Sequence, residues 1–310
     1  MRLKFYKSPF PSQELQLLQY LKMRGTLPDK FLQSYNNAKK GYLGEKKLYQ
    51  ILKKQLSSDC IILFDLLLKA NGTTFQIDCL ILFPESIYMI EVKNYRGDFY
   101  LKNDKWFSAR SNLEIRNPLL QIERTEFLLN RWLQGLRVNL PVHSYVIFVH
   151  DEFWLYQAPM SLPIIYQPQL RRFVQSMNRK NRGNRIEKRH TKIAEILLEK
   201  HMDETPYVRL PNFEFKSLRK GLICLICNEQ IYLTGYKLLI CPHCSHVESV
   251  ESGVMRHVVE YSLLFPNEKI TVGRIHEWCA ARVSRGRIRR ILKLYMTLIR
   301  KSQLTYYDFN

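Results

Sequence analysis

Asp78, Glu91 and Lys93 lie on two strand-like apolar segments of the sequence that are separated by Pro84-Glu85. A two-residue turn between such segments predicts a β-hairpin, in which the residue numbers of every cross-strand pair add up to 169. In this register Asp78 lies opposite Glu91, with the two Cβ atoms about 5 Å apart. Like charges at that distance destabilise a sheet unless a positive group lies between them, and a divalent cation supplies one. Lys93 follows Glu91 by two residues, so its ammonium group lies on the same face of the strand.

A helix predicted over residues 38–56 adds a third acid to this pair. Its buried side is formed by apolar residues at helical spacing, namely Leu48, Ile51, Leu52 and Leu56. Glu45 lies one turn before Leu48, on the same side of the helix. Gly41 and Gly44 are poor helix formers, and they allow this helix to approach a sheet or a nucleic-acid backbone closely at the level of the acid.

Three carboxylates and a lysine are the groups that metal-assisted phosphodiester hydrolysis needs. The acids hold Mg²⁺ through oxygen ligands, and the metal activates a water molecule while it neutralises charge on the phosphate. A lysine ammonium group orients that water or stabilises the pentacovalent phosphorus. Glu45, Asp78, Glu91 and Lys93 are therefore candidates for a nuclease-type site.

The sequence around these residues resembles the nuclease-related domain called NERD, within the PD-(D/E)xK nuclease superfamily. The matching motifs within 38–150 are Gly41-Tyr-Leu-Gly44-Glu45, Gln76-Ile-Asp78, Ile90-Glu91-Val-Lys93-Asn94-Tyr95 and Asn117-Pro118-Leu-Leu-Gln121. The resemblance implies the α/β class with a restriction-endonuclease-like αβββαβ core. The site residues that it implies are the metal ligands Glu45, Asp78 and Glu91, the catalytic lysine Lys93 and the accessory residue Gln121. Ile77 stands where the superfamily name has proline, although that proline is commonly absent.

Four of the seven cysteines form two Cys-x-x-Cys pairs with the overall spacing C-x2-C-x13-C-x2-C. They are Cys224, Cys227, Cys241 and Cys244. Each pair can give two thiolates to one tetrahedral Zn²⁺, and the segment between the pairs is typical of a hairpin, so the section 219–250 resembles a zinc ribbon. Four sulfurs close the coordination shell, which makes the ion structural. His243 and His246 are alternative ligands, and free buried thiols are the alternative to a metal site. The remaining cysteines, Cys60, Cys79 and Cys279, are expected in the core.

The C-terminal section is predicted to contain two helices joined by a tight turn, the first within 270–281 and the second after an N-cap at Ser284. The predicted buried side of the second helix is Ile288, Ile291, Leu292 and Tyr295, and its projecting basic residues are Arg285, Arg287, Arg289 and Arg290. The pair resembles a helix-turn-helix or winged-helix DNA reader, in which the second helix enters the major groove and residues 298–309 supply a wing strand. The alternative is an ordinary amphipathic helix pair with a solvated basic face.

Composition favours a folded protein of several domains that binds a polyanion. The 310 residues carry a formal net charge of +20 and are 46% hydrophobic, which excludes a wholly disordered chain and favours nucleic acid over an anionic membrane surface. The longest apolar stretch is too short for a bilayer, and the N-terminus has no secretory signal, so a cytoplasmic location is expected. The predicted segments are a lead-in helix at 1–36, the nuclease-like domain at 37–150, a basic connecting region at 151–218, the ribbon at 219–250 and the helical module at 251–310.

Together these features predict a metal-dependent DNA nuclease with accessory DNA-binding modules. Mg²⁺ or Mn²⁺ serves catalysis, Zn²⁺ is structural, and duplex or branched DNA is the partner, with no membrane partner. Two alternatives remain: a non-catalytic DNA-binding or regulatory protein that uses the nuclease fold as a platform, and an RNA-directed nuclease. Loss of cleavage in Asp78→Ala and Lys93→Ala proteins at unchanged DNA affinity tests the first alternative. Competition between DNA and RNA of equal length tests the second.

Overall fold

The computed structural model describes residues 3–70, 72–202, 209–301 and 304–309. The helices in this part of the chain are α1 (Gln13–Arg24), α2 (Asp29–Gln55), α3 (Pro118–Gly135), α4 (Leu170–Lys180), α5 (Lys188–Glu199), α6 (Val250–Leu264), α7 (Val272–Trp278) and α8 (Arg285–Tyr295). The first ten strands are β1 (Leu3–Lys7), β2 (Cys60–Ala70), β3 (Thr73–Leu82), β4 (Ile87–Lys93), β5 (Gly97–Lys102), β6 (Lys105–Ser108), β7 (Glu114–Ile115), β8 (Val142–Phe148), β9 (Phe153–Tyr156) and β10 (Ile164–Tyr166). The others are β11 (Tyr232–Thr234), β12 (Leu238–Ile240), β13 (Val247–Ser249), β14 (Thr297–Lys301) and β15 (Leu304–Asp308). Over the described residues, no helix has the length and apolarity needed to span a lipid bilayer.

Two compact units divide the chain. Unit 1 comprises Met1–Ser12 and Asn36–Val208, and unit 2 comprises Gln13–Tyr35 and Arg209–Asn310. This division differs from the segments predicted from the sequence. The predicted lead-in at 1–36 is split, because β1 pairs with β2 in unit 1 whereas α1 packs against α6 in unit 2. Most of the predicted connecting region at 151–218 instead completes unit 1, as β9, β10, α4 and α5.

Unit 1 contains a six-stranded sheet with the strand order β1-β2-β3-β4-β8-β10. β2, β3 and β4 are antiparallel to one another, and β1, β8 and β10 each run parallel to a neighbour. The chain order α2-β2-β3-β4-α3-β8 is the predicted αβββαβ order, which β1 and β10 extend at the two edges. β2 and β4 are buried along most of their length, as expected for strands that are covered on both faces.

Helices cover the two faces of this sheet. On one face, Leu48 and Leu52 of α2 and Val174 of α4 pack in one apolar cluster. On the other face, Leu129 of α3 and Leu197 of α5 belong to a second cluster. The apolar stripes at helical spacing in the sequence are therefore the residues that attach the helices to the sheet. α2 and α3 thus reach β4 from opposite sides.

A smaller four-stranded sheet follows the central strands of unit 1, with the order β7-β6-β5-β9. β5 begins four residues after β4 ends, and β9 begins five residues after β8 ends. Its inner face is apolar, because Trp106, Phe153 and Leu155 are buried in the same cluster as α3. These strands are only two to six residues long, which makes them poor sequence signals.

Unit 2 combines a three-stranded sheet of β11, β12 and β13, the helices α1, α6, α7 and α8, and the hairpin β14-β15. Its core contains a buried ion pair, in which Arg24 donates from Nε and Nη2 to the two carboxylate oxygens of Glu260 at 2.8 and 2.6 Å. The Arg24 guanidinium also lies 4.2 Å from the ring centroid of Trp278. Cys60 and Cys79 in unit 1 and Cys279 in unit 2 are buried, as predicted.

Candidate active site

β3 and β4 separate at the level of the predicted acids. Their pairing follows the predicted register from Leu82↔Ile87 to Cys79↔Ile90, and it ends one position before Asp78 and Glu91. On its other edge, β4 pairs with β8 along its whole length, from Ile87 to Lys93. Oδ2 of Asp78 accepts a hydrogen bond of 2.8 Å from the Val92 backbone N–H, so this carboxylate bridges the opening between the two strands.

The two-residue alternation of side chains is interrupted at this opening. Ile77 and Leu80 both belong to the core cluster on the α3 side although they are three residues apart, and Asp78 lies between them. The neighbouring strand β2 has the same interruption between Leu63 and Leu66, around Asp65. Asp65 has a φ of 51°, a left-handed conformation that is uncommon for a non-glycine residue. At these interruptions, the side chains of Asp65 and Asp78 depart from the regular alternation between the two faces of the sheet.

Glu91, Lys93 and Gln121 form a closed hydrogen-bonded triangle. Nζ of Lys93 lies 2.6 Å from Oε1 of Glu91, and Nε2 of Gln121 donates to the same oxygen at 2.5 Å. Nζ of Lys93 also donates to Oε1 of Gln121 at 3.1 Å. Gln121 lies in the first turn of α3, whose N-cap Asn117 accepts from the Leu119 N–H. The capped start of α3 therefore positions the accessory glutamine on the acid of β4.

Glu45 comes from α2, and Gly44 allows that helix to lie close to the sheet. A Cβ atom at Gly44 would lie 3.0 Å from Cβ of Asn94 and 3.5 Å from Val149, which leaves little room for a side chain. Nδ2 of Asn94 donates to the backbone carbonyl of Lys40 at 2.9 Å, so the segment after β4 also holds the helix. Gly41, in contrast, faces open space, and no close approach depends on it.

Burial and repulsion between neighbouring carboxylates shift the pKa values of Glu45 and Asp78. Burial, together with the charges of Asp78 and Asp65, raises the pKa of Glu45 to about 9. Burial and the charge of Glu91 raise the pKa of Asp78 to about 7, against the lowering effect of the Val92 N–H. Burial alone lowers the pKa of Lys93, but the neighbouring Glu91 carboxylate outweighs it and the net shift is upward. Glu45 thus retains its proton at neutral pH and Asp78 titrates near it, whereas the lysine stays charged.

The donor set fits a hard divalent cation, because carboxylate oxygens are the ligands that Mg²⁺ and Mn²⁺ prefer. Binding such an ion requires the acids to move closer together. Among the described residues, only the four cysteines of unit 2 bring three or more Cys, His, Asp or Glu ligand atoms within 4.8 Å of one another. The oxygens of Glu45, Asp78 and Glu91 therefore do not all lie that close together. Glu91 is held by Lys93 and Gln121, and Asp78 by the Val92 N–H. A cation would compete with these contacts for the same oxygens.

Comparison with protein-family models decides the identity of this region. Residues 40–149 match the model described as NERD, nuclease-related domain. The chain carries a NERD domain. Comparison with curated proteins and with solved structures gives no match. The NERD domain spans α2 from Lys40, the strands β2 to β8 and α3, and it includes every residue of the candidate active site that the sequence predicted.

Three polar residues beside the NERD acids were not predicted from the sequence. Asp65 is bonded by Nε2 of Gln76 at 2.7 Å and by Nζ of Lys7, which lies 3.3 Å from Oδ2. Lys7 also donates to the backbone carbonyl of Asp65. The β2-β3 register, in which paired numbers add up to 143, places Asp65 opposite Asp78. That register is the signal by which the sequence could place Asp65 in the site.

The four predicted zinc ligands of unit 2 lie together. Sγ of Cys224 is 3.6 Å from Sγ of Cys244, and Sγ of Cys227 is 3.4 Å from Sγ of Cys241. Tetrahedral Zn²⁺ with Zn–S bonds of about 2.3 Å requires sulfurs about 3.8 Å apart, so this set fits the ion closely. The cluster contains four sulfurs and neither His243 nor His246. All four thiols are free of disulfides, and the β11-β12 hairpin connects the two pairs.

The four predicted basic residues of α8 differ in their exposure to solvent. Ser284 caps the helix as predicted, and its hydroxyl accepts from the Arg287 N–H. Arg285, Arg289 and Arg290 are exposed. The Arg287 side chain is only 14% exposed, and its Nη2 lies 3.7 Å from Oε1 of Glu251, so Arg287 does not project into solvent as expected. Tyr295, expected in the core, is 48% exposed because α8 ends there and β14 begins two residues later.

Proposed function

We propose that the NERD domain hydrolyses phosphodiester bonds of DNA with Mg²⁺ or Mn²⁺ held by Glu45, Asp78 and Glu91. The observation that carries this proposal is the grouping of Glu45, Asp78 and Glu91 at one opening of the sheet. The pKa values of Glu45 and Asp78 are raised, and Lys93 forms an ion pair with Glu91. Neighbouring carboxylates that repel each other destabilise the folded state unless a cation binds between them. A divalent ion bound there activates a water nucleophile and neutralises charge on the phosphate.

The residues of the chain have distinct roles in this reaction. Lys93 acts as a permanent positive charge and not as a proton acceptor, because the Glu91 carboxylate raises its pKa. Its ammonium group stabilises the negative charge that develops on the phosphate oxygens. Gln121 is a positioning residue, since its amide fixes one oxygen of Glu91 and also accepts from Lys93.

Unit 2 supplies DNA capture in this proposal. The structural Zn²⁺ at Cys224, Cys227, Cys241 and Cys244 fixes the ribbon, and the exposed arginines of α8 contact phosphates. α6, α7 and α8 followed by the hairpin β14-β15 give the order of elements expected for a winged-helix-like module. Arg287 has a structural role in this scheme, because it pairs with Glu251.

Cleavage of plasmid DNA by the zinc-loaded full chain tests the proposal. We expect nicking or degradation with Mg²⁺ that Asp78→Asn lowers by at least about 100-fold, at unchanged DNA affinity measured without Mg²⁺ or Mn²⁺. Glu123→Gln, an exposed position on α3, is the matched control and retains full activity. Tight DNA binding without cleavage of any linear, nicked or branched DNA supports the non-catalytic alternative. Preferential cleavage of RNA of equal length supports the RNA-directed alternative.

A further inference from the structure

The outer face of the small sheet in unit 1 presents a row of aromatic rings. Tyr100 of β5 pairs with Phe107 of β6 on one side and with Tyr156 of β9 on the other, so their side chains lie on three adjacent strands at one level. The rings of Tyr100 and Phe107 are stacked, with centroids 5.3 Å apart. Trp154 lies two residues before Tyr156 on the same face of β9. We call these four residues the ring face.

Two of the four residues of the ring face are exposed, whereas Tyr100 and Phe107 are half-buried. Trp154 is 52% exposed and Tyr156 is 57% exposed, whereas Phe153 and Leu155 on the opposite face are buried. The side chains of β9 that pack in the core are Phe153 and Leu155, so packing does not explain the large rings of Trp154 and Tyr156 on the outer face. Exposed aromatic residues that are grouped on one face indicate a binding surface, whereas scattered ones need no explanation.

The charges around the ring face favour an anionic partner. The two acids on it are already bonded, since Asp98 accepts from the Tyr156 hydroxyl at 3.3 Å and Glu114 pairs with Lys105 at 2.9 Å. In the same part of the described chain, Lys102, Arg110 and Arg116 are exposed and form no ion pair. Against these three cations, Asp98 and Asp104 are the exposed acids from β5 to β7 that have no ion-pair partner among the described residues.

We propose that the ring face binds the bases of a single-stranded nucleic acid, while the free cations around it contact the phosphates. Trp154 and Tyr156 are exposed two residues apart on one face of β9, where each ring can stack on a base. Such stacking depends little on base identity, because every base has a π face. The ring face thus adds a strand-binding surface to the chain, distinct from the arginines of α8.

Chain connectivity joins this surface to the candidate active site. β5 begins at Gly97, so its first Cα atom lies within about 14 Å of that of Lys93. β9 likewise follows β8, the strand that pairs with Glu91 and Lys93. The role of the ring face in guiding a strand to the acids rests on the proposed nuclease function, but binding itself does not. Binding is therefore measured without Mg²⁺ or Mn²⁺, where cleavage is absent and the structural zinc is retained.

The test uses the zinc-loaded full chain with fluorescein-labelled oligonucleotides, followed by anisotropy. The probes are oligo-dT, oligo-rU and an abasic DNA strand of the same length, which has the phosphates but no bases. We expect oligo-dT to bind at least fivefold more tightly than the abasic strand, and Trp154→Ala and Tyr156→Ala each to lose at least fivefold in affinity for oligo-dT. Trp154→Phe retains most of the affinity, and Met160→Ala, at a fully exposed position off the ring face, retains all of it.

Several results would overturn this inference. Equal affinity for oligo-dT and the abasic strand means that phosphates alone are bound. Unchanged affinity in both Trp154→Ala and Tyr156→Ala places the strand elsewhere. A concentration-dependent dimer that Trp154→Ala abolishes assigns the ring face to a second copy of the chain. Comparison of oligo-dT with oligo-rU then shows which nucleic acid is preferred. If base-dependent binding is present and no nucleic acid is cleaved with Mg²⁺, the ring face stands and the nuclease proposal fails.

Discussion

The ammonium nitrogen of Lys93 lies 2.6 Å from a carboxylate oxygen of Glu91, which precedes it by two residues on the same strand. Gln121 donates to that same oxygen. The same oxygen of Glu91 thus contacts both the ammonium group of Lys93 and the side-chain amide of Gln121. A divalent ion that binds Glu91 must share or displace these contacts, so the lysine and the metal are coupled.

This coupling predicts opposite effects of Lys93→Ala on metal binding and on cleavage. We expect Mn²⁺ to bind more tightly, because the variant leaves a buried carboxylate without its cation. DNA cleavage should fall by about 100-fold or more, because the charge that stabilises the reacting phosphate is lost. Isothermal titration with Mn²⁺ and a cleavage assay on one preparation measure both effects. Weaker Mn²⁺ binding together with full activity would contradict the assigned role.

The raised pKa of Glu45 predicts that divalent ions stabilise the protein more at higher pH. Its folded-state pKa is about 9 against an ordinary value of 4.5. The folded state thus holds an extra proton between these values, and the contribution of Glu45 to stability falls as pH rises from about 4.5 to 9. Asp78 acts in the same direction between 3.8 and about 7. Metal ions replace the protons and offset this loss.

Thermal unfolding of the zinc-loaded chain with and without added Mn²⁺ checks this prediction. The increase in Tm on adding Mn²⁺ should grow between pH 5 and pH 8 by about 2–4 °C or more in the wild-type chain. Glu45→Gln removes most of this pH dependence, because glutamine does not titrate. Glu123→Gln keeps it. A pH-independent effect of Mn²⁺ on the wild-type Tm refutes the linkage.

Zinc at the four cysteines should stabilise unit 2 and not unit 1. We expect one zinc per chain by elemental analysis, and we expect Cys224→Ser to lose it. Because zinc binding contributes folding energy, amide hydrogen exchange in this variant should increase in unit 2, while β2, β3 and β4 stay protected. Cys60→Ser, which changes a buried thiol outside the cluster, is the control for zinc content. Full zinc content in Cys224→Ser would count against the site.

The exposed arginines of α8 predict a change in the salt dependence of duplex binding. Arg289→Ala should reduce the slope of log K against log salt by about one, because one phosphate contact is lost. Arg287→Ala should lower the Tm more than it changes the slope, because Arg287 pairs with Glu251 inside unit 2. Anisotropy at several salt concentrations separates these two effects. Equal slopes for the wild type and Arg289→Ala argue for an ordinary solvated face on α8.

Much of the site could be predicted because it depends on local signals. The turn at Pro84-Glu85 fixed the β3-β4 register, and the Phe83 N–H indeed donates to the Ser86 carbonyl at 2.9 Å. Asn117-Pro118 marks the start of α3 and so places Gln121. The spacing of the cysteines likewise determined the cluster in unit 2.

Other features depend on relationships that no local pattern carries. Asp65 joins the site through an interruption in β2, where a left-handed residue breaks the two-residue alternation. β3 and β4 stop pairing one position before Asp78 and Glu91, although β4 keeps its pairing with β8 through Lys93. The burial of Arg287 follows from its contact with Glu251 of α6, which is distant in sequence.

The binding of Mn²⁺ to the zinc-loaded full chain tests the central claim most directly. Electron paramagnetic resonance counts free Mn²⁺, so the bound ions per chain follow from a titration. The proposal predicts one site in the wild type, its loss in Asp78→Asn and its retention in Glu123→Gln. Equal Mn²⁺ stoichiometry and affinity in the wild type and Asp78→Asn, with both proteins folded, would contradict a metal centre at Glu45, Asp78 and Glu91.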